Sequence, residues 1–303
     1  MAWEHYHLVF RLESPLHIGW RKAGNLMQTR RYVPGKNLWA ALTAALVRRA
    51  GHGHDPGAYQ AVGAELQRHF RFGYLWPAHG TRQSDGLWAV PTAPHFPWEE
   101  PQGPEYWDYL YLNGTARTAQ DVATRAASEG MLHQVEFIAP YTREEQPVYL
   151  VGDLWARRDA PSEIHHNAAT IPLPWEQALQ RLQIGGERGY GWGRIRLVAC
   201  RANTPFTWPG WSWQGQEDAV VLSPPEQDGT RLPAHALAVD FTDTERAPHG
   251  LQGAVEPWLG WERTVTGGRL SQARIMYAPG TRLAAADASG LTLSAWGYLY
   301  AAA

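Results

Sequence analysis

Between Gly185 and Gly193 the chain places five glycines in nine residues, in the run Ile184-Gly185-Gly186-Glu187-Arg188-Gly189-Tyr190-Gly191-Trp192-Gly193-Arg194. Glycine lets a main chain approach a ligand closely. Arg188 and Arg194 bring charge suited to phosphate, and Tyr190 and Trp192 bring faces on which a base could stack. A P-loop or dinucleotide fingerprint needs its glycines to open a helix. Here they run from a helical pattern into a strand, and no Gly-Lys-Ser/Thr is present. No nucleotide cofactor is expected. A plain flexible connection remains the alternative reading.

A second segment has the same character. Ser14-Pro15-Leu16-His17-Ile18-Gly19 is followed by Arg21, Lys22, Arg30 and Arg31, and then by Val33-Pro34-Gly35-Lys36-Asn37-Leu38. Glycine just ahead of a helix permits close backbone approach, and the helix N-terminus adds positive potential. Net charge over the whole chain is -2, but its distribution is uneven. Residues 1–50 hold eight Lys+Arg against two Asp+Glu, and residues 180–201 hold five against one. Two basic segments in an acidic remainder suit a local polyanion site. Arginine is 25 of the 27 basic residues; its fork fits phosphate, although a GC-rich genome gives the same bias.

Other chemistries find little support. Gly51-His52-Gly53-His54-Asp55 and His165-His166 could chelate a metal, yet neither has a third ligand at helical spacing. No metal is expected. A single cysteine, Cys200, excludes an internal disulfide, and its apolar neighbours predict a buried strand position. There is no Gly-x-Ser-x-Gly elbow and no readable acid and base pair of carboxylates. The 16 tryptophans, three of them at Trp208, Trp211 and Trp213, could stack sugars or bases, or could simply fill the core.

The elements that must position these segments are partly legible. Tyr6, Leu8, Phe10 and Leu12 alternate with His5, His7, Val9 and Arg11, the period of a strand with one apolar and one more polar face. Leu38, Ala41, Leu42, Ala45 and Leu46 predict a helix over 36–50, with Arg48 and Arg49 complementing the dipole of its last turn. Residues 51–130 read as a large insertion, with short helices near 58–69 and 117–129 and strands around 86–90 and 107–112. Strands are expected at 132–139 and 147–157, a helix at 174–182, and a strand from 195 to 200. That order is the ferredoxin-like, or RRM-like, order of an α+β fold. The Pro- and Trp-rich stretch 203–216 reads as a linker to a second, strand-rich unit. Two domains are expected, 1–201 and 202–303. No apolar run reaches the ~18 residues of a membrane span, and the start lacks the signal-peptide pattern, so a cytoplasmic protein with no membrane partner is expected.

Taken together, Ser14 to Gly19, Pro34-Gly35-Lys36-Asn37-Leu38-Trp39-Ala40-Ala41-Leu42 and Gly185 to Arg194 resemble, in order and spacing, three motifs of the repeat-associated mysterious proteins (RAMPs) of CRISPR systems. Lys36 departs from the serine usual there. The resemblance implies a guide-RNA partner and an RNA site at His17, Gly19, Arg21, Lys22, Arg30, Arg31, Gly35, Lys36, Gly185, Gly186, Arg188, Gly189, Tyr190, Gly191, Trp192 and Arg194.

Within that superfamily, type III backbone subunits place an RNA-cleaving Asp after the Ile-Gly turn, whereas this chain has no acidic residue from Trp20 to Val33. Guide-processing enzymes use a histidine near the first helix, and none lies between Gly19 and Gly51; Tyr32 and Lys36 are a conceivable acid and base pair. Those enzymes also carry the glycine-rich loop near the chain end. The chain is most similar to the Cas-five-like subunits that grip the 5′ repeat-derived tag of crRNA, non-catalytic and built from two ferredoxin-like halves, the second degenerate. Such subunits nucleate a type III effector complex in antiviral defence, with the large subunit and backbone RAMP subunits as partners. In them, Gly267-Gly268-Arg269 and Ala278-Pro279-Gly280-Thr281 are C-terminal landmarks. The alternatives are a metal-independent endoribonuclease that processes repeat RNA, and a tryptophan-using carbohydrate-binding protein.

Overall fold

The structure, a computed structural model, describes residues 2–118, 125, 131–202, 204–227, 229–264, 267–284 and 290–302. It is an α+β chain dominated by antiparallel strands. The first strand, β1 (Trp3–Leu12), follows the predicted alternation and lies inside a six-stranded sheet. It pairs antiparallel with the strand Val148–Arg157 on one side and with Arg194–Ala202 on the other. After β1 come a short hairpin, β2 (Gly19–Ala23) and β3 (Leu26–Thr29), and then helices α1 (Gly35–Arg49) and α2 (Pro56–His69). Strands β4 (Phe70–Phe72) and β5 (Trp76–His79) both pair with Val148–Arg157, so they belong to the central sheet, and α2 packs into the same core.

One face of the sheet carries Leu8, Phe10 and Leu12 against Leu38, Leu42 and Leu46 of α1 and Val62 and Leu66 of α2. Each such side chain removed from water contributes roughly 1.5–3 kcal/mol. The helix and sheet meet closely at Gly35, where a Cβ would stand 1.9 Å from the Phe72 carbonyl oxygen. Asp55 caps α2, accepting a hydrogen bond from the Gly57 N–H at 2.8 Å.

The opposite face, expected to be the more polar one, is buried too. His5 and His7 are covered, and one nitrogen of each ring is held in a network: His5 Nε2 meets Asp153 at 2.7 Å, His7 Nδ1 meets Thr207 at 3.0 Å, and Thr207 donates to Asp153, while His5 Nδ1 and His7 Nε2 have no hydrogen-bond partner among the described residues. The cover comes from the C-terminal third. Trp3, Trp76 and Trp155 share one core with Trp208, Leu222, Leu232 and Leu299. Stretch 203–216 is therefore no free linker, since Trp208 and Trp211 are buried and Ser212–Gly215 pairs with Val220–Ser223. A seven-stranded sheet organises this region, with Leu291–Leu293 and Leu299–Ala301 near its middle and Val255–Trp258 at one edge.

Three further expectations change. Where a strand was expected at 107–112, helix α3 (Pro104–Tyr111) buries Trp107, Leu110 and Tyr111 at helical spacing. The helix expected over 174–182 is a single turn, α4 (Trp175–Ala178), followed by edge strand Arg181–Gln183. Cys200 lies in a strand but is exposed. Beyond Thr118 and apart from Arg125, the helix expected near 117–129 lies outside the described residues. No described helix is long and apolar enough to cross a membrane.

Candidate nucleic-acid interface

The glycine-rich loop hangs from the turn that ends β1. The Gly193 N–H donates to the Pro15 carbonyl at 2.8 Å, the Gly186 N–H to the His17 carbonyl at 2.8 Å, and the Arg194 N–H to Ser14 Oγ at 2.9 Å. Ile184 N–H and Gly193 O close the base of the loop at 2.9 Å. Its glycines divide by role. Gly185 (φ +80°) and Gly193 (φ +75°) have left-handed backbone, and Cβ atoms there would lie 2.4 Å from His17 O and 1.8 Å from Ile184 O. These two are architectural. A Cβ on Gly186 would stand 3.2 Å from the His17 ring, and one on Gly191 (φ +82°) would meet only the Arg194 guanidinium, at 3.5 Å. At Gly189 it would meet nothing within 4 Å.

The two basic segments converge on a cleft of about 550 Å³ lined by Gly19, Lys36, Gly185, Gly186 and Arg188, with Trp258 entering from the C-terminal third. Arg188 is exposed, on the one-turn helix Arg188–Tyr190, and its guanidinium has no partner among the described residues. Arg21 and Lys22 lie on fully exposed β2; the Arg21 guanidinium sits 4.1 Å from the Trp20 ring and donates to Gln28 at 2.6 Å. Arg194 is exposed beside Gly191. Tyr190 is 76% exposed.

Several expected RNA contacts are otherwise engaged. Arg30 is an internal group, paired with Glu256 and donating to Tyr32 Oη at 2.8 Å. Arg31 grips both oxygens of Asp108. Lys36 Nζ lies 4.9 Å from the rings of both Trp258 and Trp296, a cation held between aromatic faces. Gly35 serves close packing on β4. Trp192 is buried edge-on against Phe137 and cannot offer a stacking face. His17 is nearly buried, and its Nδ1–H donates to the Glu136 carbonyl at 2.7 Å, which fixes the turn.

Below Arg30 runs a buried polar chain. Tyr74 Oη is 2.6 Å from His235 Nδ1, and His235 Nε2 is 2.5 Å from Glu256. A neutral His235 satisfies both bonds, accepting from Tyr74 and donating to Glu256. Burial accordingly lowers its pKa to about 4. Burial would raise the Glu256 carboxyl, but the His235 and Arg30 bonds outweigh it and hold it down at about 2. Burial raises the Tyr32 phenol above its ordinary value.

Some contributors had no readable signal in the sequence. Arg117 lies 4.6 Å from the Tyr190 ring and 4.4 Å from the Trp192 ring, and pairs with Glu187 at 2.8 Å, bracing the loop from the strand Leu112–Arg117. A second cleft of about 630 Å³, lined by Arg48, Arg49, Arg181 and Arg194, adjoins the first through Ala41 and Gln183. Among the described residues no group of three or more His, Cys, Asp or Glu could hold a metal ion.

Among the solved structures similar in outline to this chain are three of a type III-B complex. One is the type III-B Cmr-beta bound to cognate target RNA and AMPPnP, with a TM-score of 0.48 and 12% identity over 92% of this chain and 86% of that one. A second, bound to cognate target RNA, scores 0.46 at 12% identity over the same shares. The apo state scores 0.38 at 9% identity, over 66% of this chain and 97% of that one. Likeness at this level is faint, and the chain's own residues carry the functional reading. No protein-family model and no curated protein matches the sequence.

Proposed function

We propose that the chain is a non-catalytic RNA-binding subunit of a type III CRISPR effector complex that grips the 5′ repeat-derived tag of crRNA. The observation that carries this reading is the convergence of two sequence-distant basic segments on one cleft, with the loop main chain at Gly189 open and the Arg188 guanidinium beside it without a partner among the described residues. An extended phosphodiester can approach such a main chain closely while Arg188, Arg194, Arg21 and Lys22 meet its charge. The order Arg194–Ala202, β1, Val148–Arg157, β4, all antiparallel, supports a ferredoxin-like first domain over 1–201, and the shared tryptophan core is where a degenerate second half, 202–303, would dock on it. The large subunit and backbone subunits are the proposed protein partners.

The test is fluorescence anisotropy with a single-stranded RNA carrying the repeat-derived 5′ segment, comparing the intact chain with Arg188→Ala. Loss of one phosphate contact lowers affinity and reduces the salt slope by about 0.7. A folded Arg188→Ala chain that binds like the wild type rules out the proposed path.

A further inference from the structure

Beside the glycine-loop cleft lies a smaller one, of about 330 Å³, and Trp20 and Arg30 line both. That volume is at the lower end of the roughly 300–1,000 Å³ of small-molecule sites. It suits one nucleoside better than a length of strand. Its walls are aromatic and braced: Tyr32 lies 4.8 Å from Trp76, Trp76 stands edge-on to Trp98 at 5.3 Å, and Phe96 stacks flat on Trp98 at 4.7 Å.

The polar groups of this cleft are mostly occupied. Asp108 is taken by Arg31, and Glu256 by Arg30, His235 and Trp20. Glu136 differs. One of its carboxylate oxygens accepts the Thr29 N–H at 2.9 Å, and the other has no partner among the described residues. A carboxylate facing the cleft repels phosphate and welcomes N–H donors. Arg21 supplies positive charge at the same cleft, where it would meet the backbone rather than the base.

We propose that this cleft takes one unstacked nucleobase of the bound strand, a guanine, whose N–H donor edge meets Glu136 while the ring lies against Trp98. The proposal rests on the RNA-binding reading above and adds a base-specific subsite to it. Guanine is the base that offers ring and exocyclic N–H donors side by side, the complement of a carboxylate.

The experiment is an abasic scan of the same RNA against the full chain, followed by all four bases at any sensitive position. Stacking on an aromatic face predicts a loss of about tenfold or more at one position and little at its neighbours. Guanine there should be preferred by about tenfold. Glu136→Gln keeps an acceptor for Thr29 and should abolish the preference. Trp98→Ala, with its melting temperature as control, should flatten the scan. Tight binding with a flat scan overturns the proposal, as does a peak and preference unchanged in Glu136→Gln. Failure of the wild-type chain to bind the RNA at all sinks the RNA reading itself, a separate and visible outcome.

Discussion

Gly189 and Gly193 belong to one loop and make opposite demands, which separates architecture from ligand approach. At Gly193, φ is +75° and a Cβ would lie 1.8 Å from Ile184 O. Left-handed backbone costs an ordinary residue roughly 1–2 kcal/mol, and the overlap adds at least the ~1–3 kcal/mol typical of overpacking. Gly193→Ala should therefore destabilise the chain by about 3 kcal/mol or more. At Gly189 the backbone is not left-handed and a Cβ meets nothing within 4 Å. Gly189→Val should leave stability within about 0.5 kcal/mol. Its branched side chain would nevertheless stand where the phosphodiester approaches, displacing a charge-assisted hydrogen bond worth about 1.5–3 kcal/mol, or about tenfold or more in affinity. Denaturant melts and RNA anisotropy on both variants read the two effects. Gly189→Val binding RNA as tightly as the wild type would refute the close-approach argument, and an unperturbed melt for Gly193→Ala would refute the loop geometry.

Salt should weaken RNA binding with a log–log slope of about −3, because four of the basic residues expected at the RNA, Arg21, Lys22, Arg188 and Arg194, are placed to meet phosphates and each contributes about 0.7 on a single strand; a slope near zero would contradict this. Tyr190→Ala should weaken RNA binding without moving the melting temperature, since the ring is 76% exposed. Trp192→Ala, which empties a buried site against Phe137, should cost about 3–5 kcal/mol of stability; a reversed pattern would show the wrong ring was assigned to ligand. Stability should fall on acidification. His235 stays neutral down to about 4 when folded but takes a proton near 6.5 when unfolded, so roughly 3 kcal/mol is lost between those values, and Glu256, held at about 2, adds a further loss below its ordinary 4.5. Melting temperatures unchanged between pH 7 and pH 4.5 would contradict the neutral His235 assignment.

Strict periodicity made part of this fold readable. β1 and α1 repeat their apolar residues at 2 and 3.6 spacing, the strand Val148–Arg157 is a near-continuous apolar run, and all three fall where expected. α3 escaped because Trp107, Leu110 and Tyr111 form too short an apolar run to tell helix from strand without neighbours. His5 and His7 suggested a polar face, and the partners of their buried rings, Asp153 on a strand and Thr207 in a bend, come from distant parts of the chain. The candidate site divides likewise. Its glycines and exposed arginines are local features. The fates of Arg30 and Arg31 depend on Glu256 and Asp108, and that of Lys36 on Trp258 and Trp296, partners no local pattern announces.

The central claim is tested most directly by purifying the full chain from cells that express it together with a CRISPR array, and sequencing the RNA that comes with it. RNAs whose 5′ ends are repeat-derived should dominate, and should be lost from the double variant Arg188→Ala, Arg194→Ala while the protein remains folded. Recovery of no RNA, or of RNA without repeat-derived 5′ ends, would contradict the account.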